Sequence, residues 1–157
     1  MKKIILSISL LSVIALAVAF FPSDKKRIKK VVENGRQAVI NEDLKGFMDI
    51  ISLNYNDDFG GNYINLKKRM DRLFKQFDNS DITLDMLGIS VNGDTAAAEL
   101  NLSVITSEGE YRGYLIGDAE GGHDVKVYFG KSPYRWKVVK IEGVEESGRT
   151  MDSVGIR

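Results

Sequence analysis

Apolar residues recur at helical spacing through the first half of the chain and at strand spacing through the second half. Ser23 or Asp24 can cap a first helix that runs to Ile40, and Asn41 is predicted to cap a second helix. A third helix is predicted before residue 78. The apolar stripes of the three helices are Ile28, Val31, Val32, Ala38 and Val39; Leu44, Phe47, Met48 and Ile51; and Leu66, Met70, Leu73, Phe74 and Phe77.

From Asp81 the apolar period changes to two, which predicts β-strands. Two long runs come first, and three further strands are predicted at 110–116, 125–129 and 134–141. Three helices followed by a curved, mostly antiparallel sheet predict an α+β domain over residues 24–145. Helices laid across a bent sheet rarely fill it completely, so a pocket is expected at the open end. The polar tail 146–157 carries no apolar stripe.

The first two strands are predicted to form a hairpin. Asn92-Gly93 lies between them and is a strong signal for a two-residue turn, because both residues tolerate positive φ. This turn would pair Val91 with Asp94 and Ile89 with Ala96.

Continued unchanged, the same register would place Asp85 opposite Leu100. One extra residue near Leu87-Gly88 restores the apolar face, so the sequence predicts a β-bulge there. The pairs expected beyond the bulge are Met86 with Leu100, Leu84 with Leu102, and Ile82 with Val104.

The N-terminus has the three-part pattern of a secretory signal peptide. Met1-Lys2-Lys3 is basic, residues 4–21 are apolar apart from three serines, and Ala17-Val18-Ala19 is a small-x-small cleavage site. We therefore expect residues 1–19 to be removed and the protein to be periplasmic or secreted. The alternative is a membrane anchor formed by residues 4–21, because the basic cluster at 25–30 resists translocation.

Composition excludes several classes of function. The 157 residues include 22 basic and 22 acidic side chains, so no strong field favours nucleic acid. The absence of cysteine excludes disulfides, thiolate metal sites and a cysteine nucleophile. The single histidine, His123, cannot form a multi-histidine zinc site alone. We expect no cofactor and no metal.

Two stretches resemble the nuclear transport factor 2-like superfamily, which has a cystatin-like α+β roll. One is the hairpin "GISVNGDTAAAELNLSV" with Gly93-Asp94-Thr95-Ala96, and the other is the last strand "YRWKVVKIEG" with Trp136-Lys137-Val138-Val139. The resemblance covers roughly Asp24 to Glu145. The superfamily includes ketosteroid isomerases, scytalone dehydratases, polyketide cyclases and transport factors, and this chain most resembles its exported members of unknown role.

The resemblance also implies where catalytic groups would lie. The isomerases use an aspartate base after the second helix, a tyrosine on the first helix and a protonated acid on a strand. Asp57 and Asp58 lie near the base position, but residues 24–40 contain no tyrosine. An acid–base isomerase or dehydratase that uses Asp57 or Asp58 is therefore an alternative function.

The stretch "SLNYNDDFGGNYIN", residues 52–65, is expected to shape the pocket mouth as a lid. The predicted ligand-binding residues are Tyr55, Asp57, Asp58, Phe59, Tyr63 and Trp136. A packed connection turning at Gly60-Gly61 is the alternative. Counted from Asn54, the stretch fails the EF-hand pattern, although a looser calcium site at the two aspartates stays open.

These observations lead to one preferred function and two alternatives. We expect an exported non-enzymatic domain that binds a small apolar or amphipathic ligand, or an envelope protein, in a cone-shaped pocket. The alternatives are the acid–base enzyme and a structural envelope module with a filled cone. The sheet is expected to be able to pair face to face in a homodimer.

Overall fold

The computed structural model describes residues 23–57 and 60–144. The helices are α1 (Asp24–Ile40), α2 (Leu44–Ile50) and α3 (Tyr63–Gln76), and the strands are β1 (Asp78–Asn92), β2 (Thr95–Glu108), β3 (Tyr111–Ile116), β4 (His123–Ser132) and β5 (Arg135–Glu142). The predicted α+β class is confirmed. The expected signal peptide 1–19, anchor segment 4–21 and tail 146–157 lie outside the described residues, as do Asp58 and Phe59.

The strands form one antiparallel sheet in the order β1-β2-β4-β5, and β3 also pairs with β2. The long strand β2 pairs with β4 from Thr95 to Leu102 and with β3 from Val104 to Glu108. One strand thus contributes to two parts of the sheet, and register shifts interrupt three of the four pairings. Such irregularities bend the strands that carry them, which gives the curvature expected from the sequence.

The β1–β2 hairpin differs from the prediction at its tip. Asn92 pairs with Thr95, so the loop is Gly93–Asp94 rather than Asn92-Gly93, and the predicted partners of Val91 and Ile89 were wrong. The observed pairs are Val91 with Ala96 and Ile89 with Ala98. Gly93 takes the positive φ of 58°, and the Thr95 hydroxyl donates to the Asn92 carbonyl at 2.9 Å. These two features fix the loop one residue further along the chain.

The predicted β-bulge is confirmed. Leu87 lies between the pairs Met86–Leu100 and Gly88–Glu99, without a partner of its own in the β1–β2 register. The three pairs expected beyond the bulge, including Leu84–Leu102 and Ile82–Val104, are all present. The unpaired leucine is 61% exposed, so the bulge keeps the rest of the strand's apolar face towards the helices.

The first two helices are capped by side chains, but one predicted cap was wrong. Ser23 accepts a hydrogen bond from the Lys26 amide at 3.4 Å, as expected. The second helix is capped by Asp43, whose carboxylate accepts from the Gly46 amide at 2.9 Å, and not by Asn41. Asn41 instead ends α1, and Glu42 turns the chain with a positive φ of 53°. Asp43 is the first residue after this turn whose side chain can reach the start of α2.

The core lies between the helices and the concave face of the sheet. Inward-facing residues of β2, β4 and β5 form one apolar cluster with side chains of α1, α2 and α3. Ile28 is completely buried, and Phe129 is 1% exposed. The other buried members are Met48, Ile51, Tyr55, Leu66, Ala96, Ala98, Leu100, Val125, Val127, Trp136 and Val138. None of the helices within 23–57 and 60–144 is both long enough and apolar enough to cross a membrane.

The segment that follows α2 covers the outer edge of β5. Ile51 forms a parallel bridge with Val138. The Ser52 amide donates to the Val138 carbonyl at 2.8 Å, and the Asn56 amide donates to the Val139 carbonyl at 3.1 Å. We call residues 51–56 the covering segment. It satisfies backbone groups that would otherwise form an open sheet edge.

Candidate functional site

Tyr55 and Asp57 lie inside the fold rather than at its surface. Tyr55 is 4% exposed and Asp57 is 7% exposed. The Tyr55 hydroxyl donates to Asp57 Oδ2 at 3.5 Å, and the Gly61 amide donates to Asp57 Oδ1 at 2.6 Å. The Asp57 amide also donates to the Gly61 carbonyl at 3.0 Å. The carboxylate therefore holds the loop between the covering segment and α3 closed.

The electrostatics of this pair favour a neutral tyrosine. Burial, followed by the nearby negative charge of Asp57, raises the pKa of Tyr55 to about 12. The positive charge of Arg69 acts in the opposite sense. Tyr55 consequently stays protonated at neutral pH and serves as a hydrogen-bond donor to the carboxylate.

The space around the Asp57 carboxylate is occupied by the loop itself. A Cβ atom at Gly61 would lie 2.3 Å from Asp57 Oδ2 and 2.7 Å from Oδ1. Gly60 allows the turn by adopting a φ of 72°. A general base must come within hydrogen-bonding distance of the proton that it removes. In this arrangement the backbone of Gly61 takes the position that a substrate would need.

Trp136 belongs to a different cluster, at the start of α1. Its ring is 3% exposed, and its indole N–H donates to Asp24 Oδ1 at 3.0 Å. Lys131 Nζ lies 3.2 Å from Asp24 Oδ2 and 5.4 Å from the centre of the Trp136 ring. The indole hydrogen bond, followed by the Lys131 contact, lowers the pKa of Asp24. This cluster joins β5 to the first turn of α1.

An open groove of about 1070 Å³ runs beside α2. We call it the α2 groove. Its apolar lining residues are Leu44, Met48, Ile51, Leu53 and Tyr63, and its charged ones are Asp43, Lys45, Asp49, Lys67 and Lys137. One wall is formed by the start of the covering segment, and Leu53, on that wall, is 80% exposed. A smaller groove of about 270 Å³ lies between α1 and α2.

The charges around the α2 groove are only partly paired. Asp49 Oδ1 lies 3.6 Å from Lys137 Nζ, and the Asp43 carboxylate is engaged by the Gly46 amide. Lys45 and Lys67 are exposed and form no ion pair with any described residue. The groove thus combines an apolar floor with two cationic groups at its rim.

The sequence-predicted ligand residues are not gathered at one site. Tyr63 lines the α2 groove, whereas Tyr55 and Asp57 are buried in the loop and Trp136 is buried against α1. Asp58 and Phe59 lie outside the described residues. Sequence reasoning did not predict Leu53 or Lys137 as site residues, although Lys137 belongs to the last-strand motif. An isolated leucine in an otherwise polar stretch was the available signal for Leu53.

No metal site is formed by the part of the chain that the structure describes. Residues 23–57 and 60–144 contain no group of three histidine, cysteine, aspartate or glutamate residues arranged to hold an ion. His123 is exposed at the first position of β4. The calcium site that stayed open at Asp57 and Asp58 includes a residue outside the described ranges.

No protein-family model and no curated protein matches the sequence. Solved structures do match. Bd1075 from Bdellovibrio bacteriovorus is 17% identical, with a TM-score of 0.61, over 74% of this chain and 40% of that chain. A proposed dehydratase of the NTF2-like family from Streptomyces avermitilis is 12% identical, with a TM-score of 0.64, over 76% and 93% of the two chains.

A protein of unknown function with a cystatin-like fold, from Nostoc punctiforme, is 16% identical, with a TM-score of 0.60, over 77% of this chain and 90% of that chain. Identities this low are evidence for the fold and not for an activity. They agree with three helices packed on a five-stranded antiparallel sheet. The chain therefore has the nuclear transport factor 2-like fold.

Proposed function

We propose that this chain is an exported, non-catalytic binding domain that takes an amphipathic ligand in the α2 groove. One observation carries the proposal: the open apolar concavity lies outside the roll, beside α2, while packed side chains occupy the concave face of the sheet. This proposed site differs from the pocket expected from the sequence, which lay at the open end of the roll.

Export is supported by the sequence of residues 1–19. Cleavage after Ala19 would leave Phe20 as the first residue of the mature protein. Intact-mass measurement of the protein purified from its own cells tests this directly. A mass that still includes Met1 to Ala19 would overturn cleaved export and favour the anchored form.

The chemistry of the groove indicates the kind of ligand. Leu44, Ile51 and Leu53 offer an apolar surface, and burying such groups contributes roughly 25 cal/mol per Å². Lys45 and Lys67 at the rim favour an anionic end group. An acyl chain with a carboxylate, or a peptide segment of equivalent character, has both properties.

Sodium decanoate, kept below its micelle-forming concentration, is a suitable probe. Titrated into the full-length protein, it should shift the backbone amide NMR signals of Leu44, Leu53 and Tyr63. Leu53→Asp should weaken binding about tenfold, because a leucine side chain contributes roughly 1.5–3 kcal/mol when fully buried and only part of it contacts the ligand. Leu87→Asp is the matched control, because Leu87 is also an exposed leucine but lies on β1.

Two results would overturn the groove assignment. One is a set of NMR shifts that centres on Leu87, Tyr111 or Tyr134, which are also exposed but do not line the α2 groove. The other is an affinity for decanoate that Leu53→Asp leaves unchanged. Decyl maltoside, which has the same chain length and no charge, should bind more weakly than decanoate if the two lysines contribute.

An acid–base enzyme is the second candidate, and the description of the Streptomyces avermitilis protein as a proposed dehydratase favours it. The position of Asp57 argues against it, because the carboxylate is 7% exposed and is absent from the lining of the α2 groove. The two proposals make different predictions for Asp57→Asn. Because asparagine keeps an oxygen that can accept from the Gly61 amide, a binding domain should retain most of its affinity for decanoate, whereas an enzyme that uses Asp57 loses turnover.

A further inference from the structure

The first two turns of α1 carry an exposed row of four lysines. Lys25, Lys26, Lys29 and Lys30 are all exposed, while Ile28, on the opposite side of the helix, is completely buried. Residues separated by four positions lie above one another on a helix, so the pairs 25/29 and 26/30 form two adjacent columns. We call these four residues the lysine face.

The fold itself does not account for this arrangement. None of the four lysines forms an ion pair with any residue in 23–57 or 60–144. The two nearest acidic residues along α1 are engaged elsewhere: Asp24 by Trp136 and Lys131, and Glu33 by Arg36 and Gln37. Like charges four residues apart on a helix repel each other and destabilise it. The lysine face is therefore a concentrated, uncompensated positive charge.

We propose that the lysine face docks on an anionic phospholipid membrane. The argument rests on charge complementarity and on the position of the face in the chain. The lysine face lies at the end where the chain enters α1, close to Phe20 if the chain is cleaved after Ala19 and next to the apolar residues 4–21 if it is not. A cluster of four basic side chains on a helix is attracted to anionic headgroups in either form. This surface is separate from the α2 groove, and the proposal does not depend on it.

A nucleic acid is the less favoured partner. The four lysines extend over about 7.5 Å of helix axis, which is a small contact for a polyanion that runs along a groove. The whole chain has a formal net charge of 0, so there is no general attraction for polyanions. A flat lipid surface requires only one local patch of charge.

The test is co-sedimentation of the full-length protein with vesicles. Vesicles of phosphatidylcholine are compared with vesicles that contain about 30% phosphatidylglycerol, at 50 mM and 500 mM NaCl. Because residues 4–21 can bind either lipid, the measured quantity is the ratio of the two affinities. We expect at least a tenfold preference for the anionic vesicles at low salt, and loss of that preference at high salt because the attraction is screened.

Two variants with equal charge change localise the effect. Lys25→Gln, Lys26→Gln, Lys29→Gln and Lys30→Gln together should abolish the preference for anionic vesicles. The control combines Lys68→Gln, Arg72→Gln and Lys75→Gln on α3 with Arg135→Gln on β5, none of which lines the α2 groove, and it should retain the preference. Far-UV circular dichroism with urea unfolding checks that the α1 variant is folded, and removing the Lys–Lys repulsion should leave its stability unchanged or higher.

Several outcomes would overturn the proposal. These are equal affinity of the wild-type protein for both vesicle types, retention of the preference by the α1 variant, and equal loss in the control variant. Competition by inorganic phosphate at the lipid phosphate concentration would assign the lysine face to a soluble anion. Binding of a 20-base-pair duplex DNA that the α1 variant loses, without any lipid preference, would assign it to nucleic acid.

Discussion

Replacing Gly61 by alanine should destabilise the fold through one contact, with the carboxylate of Asp57. The added Cβ atom would lie 2.3 Å from Oδ2, 2.7 Å from Oδ1 and 2.8 Å from Cγ of Asp57. Gly61 does not adopt a positive φ, so alanine brings no backbone strain at this position. The variant therefore isolates the effect of crowding the buried carboxylate.

The expected loss of stability follows from two effects. Overpacking a buried site costs about 1–3 kcal/mol. Moving the carboxylate also weakens the hydrogen bond from the Gly61 amide, and a hydrogen bond to a charged group contributes about 1.5–3 kcal/mol. Because partial relaxation reduces both effects, we expect a total loss of about 2–3 kcal/mol in the free energy of unfolding.

Urea unfolding followed by the fluorescence of Trp136 measures this loss, because Trp136 is the single tryptophan and is buried. A double-mutant cycle with Asp57→Ala identifies its cause. Gly61→Ala should cost about 2–3 kcal/mol in the wild-type background and close to zero when the carboxylate is absent. An equal cost in both backgrounds would refute the reasoning.

Gly60→Ala is the control for this cycle. Gly60 has a φ of 72° and no atom within 4 Å of its Cβ position, so alanine there is opposed by backbone strain alone. Its cost should be about 1–2 kcal/mol and independent of Asp57. Two neighbouring glycines of one loop would then be required for different physical reasons, Gly61 for space and Gly60 for its backbone conformation.

Three further predictions concern other parts of the fold. Trp136→Phe should lower the free energy of unfolding by about 1–3 kcal/mol, measured by circular dichroism, because it removes buried ring volume and the hydrogen bond to Asp24. Gly122→Ala should cost about 1–3 kcal/mol, because its Cβ would lie 2.9 Å from the backbone of Leu102, whereas Gly121→Ala, which meets nothing within 4 Å, should be tolerated. Burial raises the pKa of Tyr55 to about 12, above the unfolded value near 10. The stability that the protonated Tyr55 hydroxyl contributes is therefore fully present below pH 10 and is lost between pH 10 and 12. In the wild-type protein the free energy of unfolding should fall by on the order of 1–2 kcal/mol between pH 10 and 12, after allowance for solvent screening, and in Tyr55→Phe this fall should be absent. The same pH dependence in both proteins would contradict the raised pKa.

The sequence was sufficient for the parts of the fold that depend on periodicity. The apolar spacing located three helices and the strands, and a β-bulge near Leu87-Gly88 was predicted to keep Leu100 and Leu102 opposite apolar residues. With the predicted tip those pairs require the extra residue on β2, and it is the shifted tip that leaves Leu87 of β1 unpaired. These predictions hold because a one-residue slip would turn a whole strand's apolar side chains towards solvent. The hairpin tip and the cap of α2 were misplaced by one and two residues, because several neighbouring polar residues can serve there.

The candidate site could not be derived in the same way. The covering segment depends on the parallel bridge between Ile51 and Val138, residues far apart in sequence with no local signal for pairing. Without knowledge of that bridge, Tyr55 and Asp57 were predicted to bind a ligand at the pocket mouth. Burial of Asp57 by its own loop depends on three-dimensional closure at Gly61, which composition does not reveal.

The expected homodimer through the sheet stays a prediction. The charged side chains on the outer face of the sheet oppose it. Tyr128 donates to Glu142 at 2.8 Å, Lys140 lies 2.6 Å from the same carboxylate group, and Lys126 lies 3.3 Å from Glu99. Pairing this face with a second copy would remove these charges from water. Such an interface gains little unless the partner supplies additional hydrogen bonds to them.

The covering segment links the stability of the roll to its candidate binding surface. Residues 51–54 form one wall of the α2 groove, and hydrogen bonds from Ser52 and Asn56 hold the same segment against β5. Asp57 closes the loop immediately after it. A change that loosens this loop should therefore weaken ligand binding in the α2 groove even though Asp57 does not line it.

Affinity for decanoate should fall in Gly61→Ala and stay unchanged in Gly122→Ala, which destabilises the fold at the opposite end of β4. Equal losses in both variants would mean that affinity follows global stability rather than the position of the covering segment.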